Sequence, residues 1–163
     1  MQPSPIPPGY EGVTPYLIVG DAEAAIDFYT RAFDARELFR LPSPSGKIGH
    51  AEMAIGAARF MMASESPEHG ARSPKTLGGS PVGLLLYVAD VDARFAQALV
   101  AGGRELQPLR NQFYGDRSGT IEDPFGHKWT LATRIEELSH EEMRERCDRM
   151  FSSKPCQAQQ AQQ

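Results

Sequence analysis

The chain has 163 residues, a net charge of −4, a hydrophobic fraction of 40% and an aromatic fraction of 9%. This composition is that of an ordinary globular domain, and the lack of a basic field makes nucleic acid a poor candidate partner. No apolar run approaches the roughly 20 residues that span a membrane, and the N-terminus lacks the cationic start and apolar core of a signal peptide. Because its two cysteines both lie near the C-terminus, we expect no disulfide framework. We therefore expect a cytoplasmic protein.

The first half of the chain predicts a βαβββ unit preceded by an arm. Residues 1–12 are rich in proline and show no periodicity, so we expect an extended arm. A strand at 13–19 leads to Asp21, whose carboxylate can accept hydrogen bonds from the free N–H groups of a following helix. Three short alternating segments come next, and the last two form a hairpin at Gly56. We assign the first module to 13–64.

The second half repeats this order after a polar loop. Residues 65–81 are rich in Ser, Gly and Pro and are long for a connection inside one domain, which indicates a linker between modules. The second module occupies 82–134, with Asp90 as its helix cap. A capping box favours a C-terminal helix within 135–151. The glutamine-rich residues 152–163 predict a disordered tail.

Matching residues in the two halves indicate an internal repeat. Val19 and Asp21 correspond to Val88 and Asp90 at an offset of 69 residues, and the tripeptide Arg-Glu-Leu recurs at an offset of 68. A unit of this size buries one face of its sheet under its helix and leaves the other face open. Two such units can join and curl their open faces together. We predict an α+β fold in which two βαβββ modules form a curved mixed sheet enclosing a cup, with the helices outside.

The stretch 111–133 indicates which side chains should face the cup. Residues 123–126, with the sequence DPFG, are typical of a turn. After this turn, one side of the strand carries bulky residues that should meet a helix: His127, Trp129, Leu131 and Thr133. The other side should face the cup with Lys128, Thr130 and Ala132. The loop before the turn places three further candidates beside this open side: Phe113, Tyr114 and Arg117.

Three segments of the sequence together resemble one known superfamily. They are VTPYLIVGDAEAAIDFYTRAF at 13–33, KIGHAEMAIG at 47–56 and PLRNQFYGDRSGTIEDPFGHKWTLAT at 108–133. They resemble the vicinal oxygen chelate superfamily, which includes glyoxalase I, bleomycin-resistance proteins and extradiol dioxygenases. The third segment is most similar to the PhnB-like branch, whose members carry QF(W/Y)GDR followed by DPFGH(K/R)W. The resemblance covers residues 12 to about 150. It implies the glyoxalase/bleomycin-resistance fold and a homodimer.

Metal enzymes of this superfamily hold one divalent ion in the cup. The resemblance places the ligand positions of glyoxalase I on Thr14, Glu52, Gly83 and Thr130. Only Glu52 carries a strong donor, whereas such an ion needs about three protein ligands. We therefore expect no metal cofactor at the usual position. A displaced divalent-metal site is the alternative: His50 and Glu52 share one strand face, and a third donor would come from His127 or Glu122.

Strand parity and the resemblance together nominate the ligand-binding residues Thr14, Tyr16, His50, Glu52, Leu85, Tyr87, Phe113, Tyr114, Arg117 and Thr130. Glu52 is the candidate catalytic residue, because partial burial would raise its pKa and make it a base. Alternatively, Glu52 and His50 form a solvated polar pair. Arg117 suits a carboxylate or phosphate, or it forms an ion pair that fixes its loop, with Asp116, Asp123 or Glu122. Phe113 and Tyr114 stack on a flat ligand, close the rim or contact a second subunit.

Three functions are consistent with this sequence. The preferred one is a metal-independent binding module that holds a small, partly aromatic organic molecule in the cup, as the antibiotic-sequestering members do. The alternative is a divalent-metal-dependent, glyoxalase-like isomerase or lyase that uses Glu52 and His50. The third is a dimeric interaction protein without a small-molecule role, in which Phe113 and Tyr114 serve the interface. We expect no nucleic acid and no membrane among its partners.

Overall fold

Each half of the chain builds a four-stranded mixed sheet with one long helix, as seen in a computed structural model that describes residues 3–152. The first half consists of β1 (Tyr16–Val19), α1 (Ala22–Phe33), β2 (Arg36–Pro42), β3 (Ile48–Ile55) and β4 (Ala58–Ser64). Its strands lie in the order β1-β4-β3-β2. Strand β1 is parallel to β4, and the other neighbours are antiparallel.

A 3-10 turn at Pro67–His69 and a short helix, α2 (Pro74–Leu77), lie between the two sheets. The second half then consists of β5 (Gly83–Tyr87), α3 (Val91–Ala101), β6 (Arg104–Asn111), β7 (Asp116–Glu122) and β8 (Lys128–Arg134). Its strand order, β5-β8-β7-β6, repeats that of the first sheet. The chain continues into α4 (His140–Ser152).

The predicted caps and turns explain where these elements begin and end. The Asp21 carboxylate accepts from two N–H groups in the first turn of α1, and Asp90 does the same for one N–H group of α3. Gly102 ends α3 with a φ of 118°, a left-handed conformation that suits glycine. At the start of α4, the backbone N–H of Ser139 donates to the Glu142 carboxylate, and the backbone N–H of Glu142 donates to the Ser139 hydroxyl oxygen, which is the predicted capping box.

One hydrophobic core joins the two halves. Aromatic side chains of α1 pack against aromatic side chains from both sheets. The Trp129 ring lies 4.8 Å from Phe33 and 5.5 Å from Tyr29, measured between ring centroids. Helices α1 and α3 also contact each other. Each sheet therefore has one face in the shared core and one face turned away from it.

The α+β fold of two repeated modules is confirmed, with one refinement. Over residues 3–152 the strands form two separate four-stranded sheets, without a hydrogen-bonded strand pair between them. The first strand is shorter than predicted and begins at Tyr16. The tail prediction for 152–163 falls outside the described residues, apart from Ser152 at the end of α4. No helix within the described residues is long and apolar enough to cross a membrane.

Candidate functional site

The open face of the first sheet carries a row of side chains that crosses all four strands. Phe39 of β2 is opposite Glu52 of β3, Glu52 is opposite Met61 of β4, and Met61 is opposite Tyr16 of β1. Directly opposed residues point to the same side of a sheet. His50 is two residues from Glu52 on β3 and shares this face. The predicted residues Tyr16, His50 and Glu52 therefore come together here.

These polar residues form a connected hydrogen-bond chain. The Tyr16 hydroxyl lies 2.9 Å from Nδ1 of His50, and Nε2 of His50 lies 3.4 Å from Oε1 of Glu52. The N-terminal arm completes the chain, because the Tyr10 hydroxyl donates to Oε2 of Glu52. The guanidinium of Arg59 stacks on the Tyr10 ring at 4.7 Å from its centroid. The proline-rich arm thus folds back onto the open face of the first sheet.

The arm changes the predicted chemistry of Glu52. The Tyr10 hydrogen bond holds the pKa of Glu52 below its ordinary value, and the neighbouring His50 lowers it further. Burial raises the pKa of Glu52, but its effect is smaller than that of the Tyr10 hydrogen bond. The prediction of a raised pKa was therefore wrong. Glu52 is ionised at neutral pH and acts as a hydrogen-bond acceptor.

The donors proposed for a displaced metal site do not come together. The Nε2 atom of His127 lies 3.1 Å from the carbonyl oxygen of Ile18. Glu122 forms an ion pair with Arg104 at 2.7 Å. Over the described part of the chain, no three His, Cys, Asp or Glu side chains are grouped so that they could hold a metal ion. Within residues 3–152, Glu52 and His50 remain a pair of donors without a third.

The open face of the second sheet carries Leu85, Tyr87 and Thr130. Leu85 is opposite Thr130, and the Thr130 hydroxyl lies 3.0 Å from that of Thr120. The Tyr87 hydroxyl donates to Oδ2 of Asp116 at 2.6 Å, and this bond raises the pKa of Tyr87. The predicted alternation in β8 is confirmed from Lys128 to Leu131, because Trp129 and Leu131 are buried while Thr130 is only partly covered. Ala132, which was expected to be open, is buried.

Arg117 does not lie on the open face of the second sheet. It has the same parity in β7 as Gly119, where a Cβ atom would lie 2.8 Å from the Phe95 ring of α3. The Arg117 guanidinium instead forms a two-pronged ion pair with Asp92 of α3, at 2.6 and 2.8 Å. The alternative of an ion pair was right, but each carboxylate proposed for it was wrong. Arg117 fastens α3 to the second sheet.

The remaining candidates lie at the rims of the two faces. Phe113 and Tyr114 pack edge to face, with ring centroids 5.2 Å apart, and α4 reaches this loop through Arg146. Thr14 lines a separate cleft of about 380 Å³ between the arm, the β3–β4 hairpin and β5. The structure therefore distributes the predicted residues over two open sheet faces, a rim loop and a cleft.

Sequence reasoning missed Tyr10, Arg59 and Asp116. Tyr10 had no detectable signal, since it lies in a segment without periodicity, 42 residues away from Glu52. Arg59 could have been found, because it alternates with the buried Phe60 on β4. Asp116 could also have been found by extending the alternation of β7 back to its first residue.

Two βαβββ modules that share a core and each keep one sheet face open define the glyoxalase type of fold. The chain belongs to the Glyoxalase/Bleomycin resistance protein/Dioxygenase superfamily, whose family model matches residues 13–131. An uncharacterized protein from Mycobacterium bovis is 45% identical over 134 residues, which are 80% of this chain and 88% of that protein.

Solved structures show the same architecture. The crystal structure of TioX from Micromonospora sp. ML1 is 27% identical, with a TM-score of 0.59, and the match covers 76% of this chain and 100% of that one. A putative 3-demethylubiquinone-9 3-methyltransferase from Bacillus cereus, also called PhnB protein, has a TM-score of 0.59 at 21% identity. That match covers 76% of this chain and 99% of the other, and it supports the fold alone.

Proposed function

We propose that this protein is a PhnB-like member of the superfamily that binds a small organic molecule between its open sheet faces without a metal ion. The observation that carries this proposal is a set of large apolar and aromatic side chains, 48% to 59% exposed, all on the two open faces: Tyr16, Phe39, Leu41, Leu85 and Tyr87. Apolar walls with a few placed polar groups are typical of small-molecule sites. Here Glu52, His50 and Thr130 supply the polar groups.

A homodimer is part of this proposal. Each open face belongs to a separate sheet, so neither face encloses a ligand by itself. A second copy that sets its second sheet opposite the first sheet of this chain would close a cup from both sides. Contiguous exposed apolar surface of this kind marks interaction sites on soluble proteins. The segment Gln112–Arg117, followed by DPFGHKW at 123–129, supports the PhnB-like branch. We place the protein in the cytoplasm.

The donor arrangement supports metal independence. Glu52 already accepts a hydrogen bond from Tyr10, and the His50 imidazole beside it is engaged with Tyr16. Gly83 offers no side chain at one of the superfamily's ligand positions. The metal-dependent isomerase or lyase would need a third strong donor, which the described residues do not bring to this place.

Elemental analysis tests the metal question directly. The protein is purified without a tag after growth with added nickel, zinc, manganese and iron. We expect far less than one equivalent of any metal per chain, and the same content in Glu52→Gln. About one equivalent that is lost in Glu52→Gln or His50→Ala would overturn the proposal in favour of the metal enzyme.

Light scattering and thermal shift test the cup. Wild-type protein should have twice the 17.9 kDa mass of the chain, and a screen of small aromatic compounds should raise its melting temperature equally with and without chelator. Leu85→Asp places a charge on the open face and should yield monomers that lose the thermal shift. Val100→Asp is the matched control, because Val100 is exposed on α3, away from both faces. Equal behaviour of the two variants would contradict the proposed cup.

A further inference from the structure

The open face of the second sheet holds a buried carboxylate that lacks a cationic partner among the described residues. Asp116 is only 7% exposed, at the first position of β7. Its one side-chain hydrogen bond within residues 3–152 comes from Tyr87, at 2.6 Å. No lysine, arginine or histidine of the described chain lies within ion-pair distance of it. Buried charges in proteins are ordinarily paired. We therefore expect this carboxylate to bind a positively charged group from outside the chain.

The guanidinium group that lines the same cavity as Asp116 is directed elsewhere. Arg134 is the cross-strand partner of Asp116 in β8, so both residues belong to the same face. Its Nε atom donates to the carbonyl oxygen of Glu136 at 3.3 Å, and Nη2 lies 3.7 Å from the Glu137 carboxylate. The arginine thus lines the site without neutralising the carboxylate.

Asp116 opens into a cavity of about 460 Å³, within the usual size range of small-molecule sites. Besides Asp116 and Arg134, its walls are Tyr87, Tyr114, Leu138 and Met143. Two phenol rings and a thioether beside a carboxylate are the groups that stabilise an organic ammonium ion, through cation–π contact and charge-assisted hydrogen bonding.

The cavity walls come from distant parts of the sequence and are fixed by specific bonds. The carbonyl oxygen of Gly115 accepts from the N–H groups of Ile135 and Glu136, which holds the segment after β8 against the Phe113–Gly115 loop. A Cβ atom at Gly115, where φ is 94°, would lie 2.9 Å from the carbonyl oxygen of Glu136, so glycine is needed for this approach. The side-chain amide of Gln112 bonds to Ser118, beside Asp116 on the same strand.

We propose that this cavity binds the ammonium group of an organic amine, with the Asp116 carboxylate as acceptor and the Tyr87 and Tyr114 rings as walls. This inference rests on the proposed function, because the cavity is part of the second open face, and it names the chemical class that this face selects. Tyr87 donates to one carboxylate oxygen and leaves the other for the ligand. The amine contributes the missing positive charge.

Calorimetric titration of the full-length protein with three probes of similar size tests this preference: benzylamine, benzyl alcohol and benzoate. Benzylamine should bind about tenfold more tightly than benzyl alcohol, the ratio expected from one charge-assisted hydrogen bond, and benzoate should bind least. Asp116→Asn, which preserves shape, should remove the preference for benzylamine. Glu122→Gln is the matched control, because Glu122 lies on the same strand face and is already paired with Arg104, and it should keep the preference.

Equal binding of benzylamine and benzyl alcohol would overturn the ammonium site while leaving a metal-independent aromatic cup intact. A preference that persists in Asp116→Asn would also overturn it, and so would the absence of binding by every probe in the low millimolar range. Circular dichroism checks that Asp116→Asn is folded. If it is not, Tyr114→Ala at the cavity rim must lower the affinity for benzylamine severalfold, and an unchanged affinity refutes the site.

Discussion

The free energy of unfolding should depend strongly on one buried carboxylate at the junction of the two modules. Asp123 is 2% exposed and accepts four hydrogen bonds. Oδ1 accepts from the backbone N–H groups of Phe125 and His127, both at 2.9 Å. Oδ2 accepts from the Tyr29 hydroxyl at 2.7 Å and the Trp129 indole at 3.0 Å. The carboxylate thus ties α1 of the first module to the β7–β8 turn of the second.

Asp123→Asn keeps the shape of this side chain but removes its charge and one acceptor. Oδ1 of the asparagine still accepts from the two N–H groups of the turn. The amide NH2 group replaces Oδ2 and faces the indole N–H of Trp129, so this buried donor loses its acceptor. This loss costs about 1–3 kcal/mol. The Tyr29 hydroxyl can rotate and accept a hydrogen bond from the new amide. The surviving hydrogen bonds no longer involve a charged acceptor and are weaker. A neutral group costs less to bury, which offsets part of this loss. We expect the free energy of unfolding to fall by about 2–3 kcal/mol.

Urea unfolding measures this loss with a probe inside the network, since Trp129 is the only tryptophan of the chain. Its fluorescence should follow the transition, with a lower midpoint and an unchanged slope in Asp123→Asn. Asp21→Asn is the matched control, because asparagine caps a helix as well as aspartate does and Asp21 is exposed. A loss below about 1 kcal/mol in Asp123→Asn, with both variants fully folded, would refute the assigned role.

Three further changes have defined outcomes. Tyr10→Phe should bring the pKa of Glu52 back towards its ordinary value near 4.5, as measured by a carboxyl-carbon NMR titration. In the wild type, the stabilisation from the Tyr10 contact is fully present above pH 4.5 and is lost as the pH falls through the lowered pKa of Glu52. Gly119→Ala should destabilise the fold by about 1–3 kcal/mol in thermal unfolding through contact with α3, whereas Gly83→Ala, with open space around it, should not. Arg117→Gln should leave binding of every aromatic probe unchanged, since its guanidinium faces α3.

The sequence predicted side-chain direction well wherever a strand shows period two, because backbone geometry alone fixes that alternation. Tyr16, Glu52 and Thr130 all lie on open faces as expected. Arg117 shows the limit of this reasoning. It was assigned to a loop, where parity has no meaning, but β7 already begins at Asp116. Once the strand is extended by these residues, the same rule turns Arg117 towards α3.

The chemistry of the site residues was less predictable than the direction of their side chains. The pKa of Glu52 depends on Tyr10, which folds back across 42 residues from a segment without periodicity. Such a contact is set by tertiary packing of the arm, and no local pattern in the sequence encodes it. The cavity beside the buried Asp116 is likewise lined in part by residues that follow β8. Only the structure shows that this segment returns to the Gly115 loop.

The two halves of the repeat differ more on the open faces of their sheets than on the core faces. On the core side, several equivalent positions are both large and apolar, as with Phe60 and Trp129. On the open side, the row Phe39, Glu52, Met61 and Tyr16 corresponds by register to Gln107, Thr120, Thr130 and Leu85. A core requires only apolar volume of suitable shape, whereas a binding site requires particular donors and charges at particular places.

The symmetry of the repeat is therefore lost on the two open faces, where we propose that the ligand binds. The first open face presents a tyrosine–histidine–glutamate chain closed by the arm. The second presents a hydroxyl pair and a buried carboxylate beside phenol rings. If the two faces of neighbouring copies enclose one ligand, that ligand meets a different set of groups on each side. An asymmetric molecule with an aromatic body and one basic nitrogen fits this division better than a symmetric anion does, because both faces carry an ionised or buried carboxylate.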